Sequence, residues 1–436
     1  MKPSSDTLCP LPWNHMGIQQ NGDLRQCCQM IDRPFGKFID DGTALAFSPE
    51  NIEKARNHAF SMNIRKEMMQ GGKPTACNLC WQEESIGICS KRQHMLAEYP
   101  MEEYLKATGP SGRIDVSAIP LSYIDLRLGN LCNLRCRSCG PTDSSLWVAD
   151  HAALSPDLTK VTMHYYGSKH YSITMASNGW KIDSSDFSWY ENENLDQWLR
   201  TNAHGITRLY FTGGEPTVNK KHFDILEMMI SINRSASIDL EYNSNMVAIP
   251  TKLLEYWKNF KSVRIGASID AIGELATYIR NPGRWSDVER NCDRIGQGQI
   301  PNLHATVATT ISVFNVMHLP DLTKWLFSKE YSHFERYPTY HLLMGPSHMS
   351  IQVLPDETKS LIRTEYERFF QWTEHALGMD DAIYLRNYYG KILDFMEQAS
   401  RTDLLPILAD AIHNVDRLRG ESIREIIPWL GNAISA

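Results

Sequence analysis

The chain has 436 residues, a formal net charge of -7 and 42% hydrophobic residues, which exceeds the size of one growing core and predicts a main domain with smaller attachments. The negative balance gives no global reason to hold a polyanion, so nucleic acid is not an expected partner. No run of about 18 or more apolar residues occurs and Met1 to Asn14 lacks the build of a secretory leader, so a cytoplasmic protein that does not enter the membrane is expected.

In that compartment the ten cysteines argue for metal or redox work, because a reducing cytosol keeps thiols free. All but Cys292 lie in the first third of the chain. The first segment runs from Cys9-Pro10-Leu11-Pro12-Trp13 to Gly22-Asp23-Leu24-Arg25-Gln26-Cys27-Cys28. Its Asn21-Gly22 pair is a hairpin signal that brings Cys9 and Cys27 near each other. Cys77-Asn78-Leu79-Cys80 follows. Thiolates from Cys9, Cys27, Cys77 and Cys80 suffice for a fully coordinated iron-sulfur cluster, and the C-x2-C spacing serves a structural zinc as well. Cys28 and Cys89 are left over as an extra ligand, a hydrogen-atom donor or a buried thiol, and Cys292 is expected in the core. This turn-rich region ends near Tyr99-Pro100 and Gly109-Pro110-Ser111-Gly112.

From Ser122 to Val313, β-rich runs alternate with helical patterns, the signature of βα units around a parallel sheet. Strands are expected at Tyr123 to Leu128, Arg208 to Thr212, Ser237 to Tyr242, Val263 to Ile269 and His304 to Ser312. Helices are expected at His222 to Ile232 and Lys252 to Phe260. The first strand leads into Cys132-Asn133-Leu134-Arg135-Cys136-Arg137-Ser138-Cys139, a C-x3-C-x2-C loop. Three thiolates so spaced hold three irons of a 4Fe-4S cluster and leave the fourth open. A zinc site wants four ligands, commonly as paired C-x2-C units, and the 3+2 spacing serves it poorly.

The insert from Pro141 to Leu199 shows no clean period among His164, Tyr165, Tyr166, Tyr171, Trp180, Trp189, Tyr190 and Trp198. Beyond it, the second strand runs into Gly213-Gly214-Glu215-Pro216, the third ends Tyr242-Asn243-Ser244-Asn245, and the fourth ends Ala267-Ser268-Ile269-Asp270. Alternation puts Ser268 and Asp270 on one face. Past the last of these strands, Asp356 to Leu377 places Leu361, Ile362, Tyr366, Phe369 and Phe370 on one helical face. Gly378 stops that helix, and Ala382 to Glu397 forms another.

Cys132, Cys136 and Cys139 after a first strand, with Gly-Gly-Glu-Pro downstream, resemble the radical S-adenosylmethionine (SAM) superfamily. The resemblance implies that Cys132, Cys136 and Cys139 hold the catalytic 4Fe-4S cluster and that Gly213, Gly214 and Glu215 receive the amino group of SAM. It further implies that Asn245, Ser268 and Asp270 line the SAM site, the last two binding ribose hydroxyls, and that Arg280 meets the SAM carboxylate. Ser138 departs from the family, which commonly carries an aromatic residue there beside the adenine. The Gly-x4-Cys and C-x2-C pieces of residues 1–110 resemble the auxiliary iron-sulfur modules called twitch and SPASM, here ahead of the barrel.

The fold expected is therefore α/β: a partial (β/α)6 TIM-like barrel at residues 118–330 with the insert 141–199, preceded by an auxiliary module at 1–110 and followed by a mostly helical extension at 331–436. The function implied is reductive cleavage of SAM to a 5'-deoxyadenosyl radical that takes a hydrogen atom from a substrate, first of all a peptide or protein. A small metabolite or nucleotide-derived substrate is the alternative, and a non-catalytic iron-sulfur or zinc scaffold the rival from another class. An external electron donor such as flavodoxin or ferredoxin is implied as a partner.

Overall fold

Side-chain alternation organises the main sheet. The computed structural model describes residues 6–30, 36–85, 87, 89–155, 161–165, 169–177, 179–298, 300–343 and 345–435. Its strands are β1 (His15–Ile18), β2 (Leu24–Arg25), β3 (Tyr123–Arg127), β4 (Arg208–Thr212), β5 (Asp239–Ser244), β6 (Ser262–Ser268), β7 (Leu303–Ile311) and β8 (Thr339–Leu342). They form one sheet in the order β8-β7-β6-β5-β4-β3-β1-β2. From β3 to β8 each strand lies parallel beside its predecessor. Sequential order of this kind turns every crossover to the same side, as in a barrel, whereas a doubly wound sheet reverses partway. The sheet ends on β2 and β8 and does not close.

One face carries Ile124, Leu126, Leu209, Phe211, Leu240, Tyr242, Val263 and Ile265, which join Ile225, Leu226, Leu253 and Trp257 of the covering helices in the principal core. The opposite face is polar and carries Tyr123, Asp125, Arg127, Tyr210, Glu241, Asn243, Arg264 and His304 in register. Within that row Asn243, Arg264 and His304 are exposed, as are Thr339 and His341 on β8.

The sheet runs past residues 118–330 in both directions. β8 supplies the sixth strand of the consecutive series at 339–342, and β1, from the first segment, pairs parallel with β3 through His15 opposite Tyr123. The Asn21-Gly22 turn forms as read, with β1 antiparallel to β2 and Gly22 at φ 83°. Helix Lys91–Glu98 then lies across the polar face, where Lys91 meets Tyr123 at 2.9 Å and Glu98 pairs with Arg208 and Arg264. The first segment has its own core around Leu11, Trp13, Met68 and Trp81. Arg65, fully buried, staples it by donating to the carbonyls of Gly112 (2.6 Å), Pro12 (2.7 Å) and Arg56 (2.8 Å).

Helices Asp356–Ala376, Met379–Glu397 and Leu405–Arg419 build a second core. Ile362, Tyr366, Phe369 and Phe370 face it, but Leu361 is 57% exposed; one residue is about 100° of helical rotation, which carries it off the apolar stripe next to Ile362. The insert holds a three-stranded antiparallel sheet (Val161–Tyr165, Lys169–Ala176, Gly179–Ile182) and helix Glu193–Asn202. Tyr171 packs on Phe187, while Trp189 and Trp198 pack on Phe47. The aromatic set thus feeds packing; Tyr166 and the side chains of His164 and Tyr165 lie outside the described residues.

Candidate active site

The cysteine loop leaves the end of β3 through Gly129, whose φ of 69° and close approach to the Phe187 carbonyl require glycine. Cys136 is buried, while Cys132 and Cys139 are partly exposed. The loop is held by its backbone. Cys139 N–H donates to the Cys136 carbonyl (3.0 Å), Arg135 N–H to Asn281 (2.6 Å) and Arg137 N–H to Ile279 (2.9 Å). The Trp147 indole donates to the Cys136 carbonyl (2.7 Å). The hydrogen bond from Cys139, and behind it the Arg280 guanidinium, hold the Cys136 thiol below its ordinary value. Burial pushes Cys132 up to about 12.

Gly213 and Gly214, at φ 76° and 57°, carry β4 past this loop. A Cβ on Gly214 would stand 2.2 Å from the Leu131 carbonyl, and one on Gly213 would stand 2.7 Å from Arg127 Cβ, so glycine is required at both. Glu215 N–H donates to the same Leu131 carbonyl (2.8 Å). Its carboxylate, 1% exposed, accepts from Thr217 Oγ1 (2.8 Å), Thr217 N–H (3.2 Å), Ser244 Oγ (2.9 Å) and Asn245 N–H (2.7 Å). Burial raises its pKa against these four donors. Glu215 therefore ties the end of β4 to the end of β5.

Asn245, Ser268, Asp270 and Arg280 line one cavity together with apolar Leu134, Val247, Ile269, Trp285 and Val288. Asn245 Nδ2 donates to Asn133 inside the cysteine loop (2.7 Å). Arg280 pairs with Asp270 (2.8 Å) and places Nη1 4.0 Å from Cys136 Sγ. Asp270 also accepts from Thr310 N–H (2.8 Å). The cavity thus has both polar and apolar lining residues, and one of them, Arg280, reaches toward the buried thiol. Sequence reading missed its apolar wall, since Leu134, Val247, Trp285 and Val288 follow no motif and meet only through the fold. It missed Asn133 as well.

The second cavity is lined by Cys9, Cys27, Cys77, Cys80, Lys91 and Arg92. Hairpin and C-x2-C helix therefore do bring those four thiols to one space. Burial pushes Cys9 up to about 12 and Cys80 up to about 11. Cys28 is held low, near 6, first by a hydrogen bond from Cys27, whose own thiol is raised by the same bond. Cys89 is exposed and Cys292 fully buried. Among the described residues, no three His, Cys, Asp or Glu side chains converge on the spacing of a single metal ion.

Residues 126–326, from β3 through the helix after β7, match the Radical SAM superfamily. The match takes in 201 of the 436 residues, just under half of the chain. Solved structures similar to the chain include histidine-tagged anSMEcpe with bound AdoMet, at 16% identity and TM-score 0.37, covering 59% of this chain and 60% of that one. Streptococcus suis SuiB bound to S-adenosylmethionine is similar at 11% identity and TM-score 0.34, covering 74% and 62%. SuiB bound to precursor peptide SuiA follows at 10% and 0.33, covering 83% and 68%. The chain spans about 60% of the length of the first of these. No curated protein matches the sequence. Among the described residues no helix is long and apolar enough to cross a membrane.

Proposed function

We propose that the chain is a radical SAM enzyme whose cluster is held by Cys132, Cys136 and Cys139 and whose SAM lies in the cavity beside Cys136. The observation that carries this reading is the meeting of Asn245, Ser268, Asp270 and Arg280 around one cavity, with Arg280 4.0 Å from the Cys136 sulfur. The residues fit the groups: three sulfurs come from one loop, and the adjoining space offers polar partners for an amino acid and ribose and an apolar wall for a base. Trp285, Val247 and Leu134 replace the aromatic residue that Ser138 lacks. When bound, the cluster and SAM supply an electron transfer that yields methionine and a 5'-deoxyadenosyl radical able to take a substrate hydrogen. The protein orients and shields. Gly213 and Gly214 let the end of β4 pass against the cysteine loop, Glu215 fixes the spacing of two strand ends, and Arg280 offers a cation to a carboxylate.

Cys9, Cys27, Cys77 and Cys80 hold a second, fully ligated cluster in this reading, in the manner of a twitch or SPASM module. The electron comes from an external donor of the flavodoxin or ferredoxin kind. The substrate is a peptide or protein segment. In support, Asn243, His304, Thr339 and His341 on the polar face of β5, β7 and β8 are exposed and able to hydrogen-bond an extended chain.

Anaerobically reconstituted protein given dithionite and SAM should release 5'-deoxyadenosine, and the Cys136→Ala protein should release none. Release from neither form, or from both alike, overturns the reading. Deuterium carried into 5'-deoxyadenosine from labelled peptide pools, and not from metabolite pools, supports the substrate class; the reverse refutes it.

A further inference from the structure

Two arginines flank Cys136 in the cysteine loop, and neither reaches solvent freely: Arg137 has a side chain 3% exposed and Arg135 one 29% exposed. A buried guanidinium left unpaired would be costly, so its partners identify what the loop is built against. For Arg137 the partners are Asp416, at 2.5 Å and 279 residues away in sequence, and Glu421. Its Nε donates to the Tyr278 carbonyl (3.1 Å), and its guanidinium lies 3.5 Å from the centre of the Tyr278 ring.

The acids are themselves fixed. Asp416 accepts from Tyr278 Oη (2.9 Å) and from Ile423 N–H (2.7 Å). Glu421 accepts from the Asn281 amide, whose oxygen takes the Arg135 Nε–H (2.8 Å). Arg135 also pairs with Asp150 (2.6 Å), and the other oxygen of Asp150 takes Arg419 Nε–H (2.9 Å). Arg419 lies over the ring of Trp147, the indole that bonds the Cys136 carbonyl. Residues 416–421 thereby close a ring of charge-assisted bonds around both arginines of the loop.

We infer that the turn 416–421 of the carboxyl-terminal extension is a positioning element for the cluster loop: Asp416 and Glu421 fix Arg137, and with it the backbone between Cys136 and Cys139. A loop whose three sulfurs must match one cluster and leave one iron facing SAM tolerates little drift, and charge-assisted bonds from a buried guanidinium to two carboxylates supply rigidity that backbone hydrogen bonds alone do not. The inference rests on the reading that Cys132, Cys136 and Cys139 hold the cluster.

The test uses the full-length, anaerobically reconstituted protein and three variants: Asp416→Asn, Glu421→Gln, and the pair Arg137→Met with Asp416→Leu, which removes the more buried ion pair together and leaves Glu421 with Asn281. Thermal unfolding, the electron paramagnetic resonance spectrum of the reduced protein and the Kd for SAM are read for each. In every variant that folds, the reduced spectrum should broaden or shift and SAM should bind at least tenfold more weakly. The double variant should regain thermal stability relative to Asp416→Asn without regaining the spectrum or the affinity. Glu397→Gln, which removes an exposed pair with Arg363 in the same extension, should leave all three readouts as in the wild type. If folded Asp416→Asn, Glu421→Gln or the double variant matches the wild-type spectrum and Kd, the inference is wrong. If the wild type shows no cluster at the loop, the reading beneath it is what has failed.

Discussion

The loop Cys132–Cys139 takes its three thiols from eight consecutive residues, whereas Cys9, Cys27, Cys77 and Cys80 come from three segments spread through the first 80. The loop sits after β3, with Cys132 and Cys139 partly exposed, and its Leu134 lines a cavity of mixed polarity. The other four line a cavity with Leu11, Met30 and Met68, and Cys9, Cys27 and Cys80 are buried there. In the proposed reading, three cluster ligands leave one iron for a small molecule, while four ligands that line a cavity of their own leave no iron free. In that reading the same element serves one site for exchange with a ligand and the other for closure.

The largest effect that tests this contrast is on iron and turnover together. Cys139→Ala should drop iron from about eight atoms per chain to about four and abolish SAM cleavage; Cys77→Ala should lose a similar share and still release 5'-deoxyadenosine. Iron analysis beside product assay reads both. Equal loss of SAM cleavage in the two variants would erase the distinction. Next in size, Asp270→Asn removes the partner of Arg280 beside Cys136 and should weaken SAM binding by roughly 10- to 100-fold, the worth of a charge-assisted hydrogen bond. The same readout should not respond to substitutions around Cys80.

Gly214→Ala forces a side chain to φ 57° and against the Leu131 carbonyl. It should cost about 1–3 kcal/mol in denaturant unfolding.

A smaller effect is shared by both regions. Burial lowers His15, on β1, to about 4 and His222, behind β4 and β5, to about 3. Each stays neutral in the folded chain while the unfolded chain protonates below about 6.5, so stability is present above that pH and falls as pH drops toward the folded values. Each contributes a slope of up to about 1.4 kcal/mol per pH unit in that window. His222→Gln should flatten the acid limb of the stability curve, and an unchanged slope would contradict the assignment.

Local patterns are legible where one periodicity decides the outcome. Arg208–Thr212 has the bounds that its apolar alternation predicts, and the cysteine loop, the Asn21-Gly22 turn and the Ser268/Asp270 strand end carry their chemistry in adjacent residues. What stays hidden depends on distant segments. Nothing in His15–Ile18 announces pairing with β3, nothing near Trp285 announces the wall of the cavity, and nothing near Asp416 or Glu421 announces pairing with the cysteine loop. The motif around Glu215 predicts a ligand for an ammonium, while burial beneath β5 gives that carboxylate four protein donors.

In this reading one iron of the cluster at Cys132, Cys136 and Cys139 remains free to bind SAM, and the chemistry depends on it. Low-temperature electron paramagnetic resonance of the reduced Cys77→Ala protein, which isolates that cluster, tests this most directly. Adding SAM should change its g-values; a cluster signal that ignores SAM, or no signal at all, would contradict it.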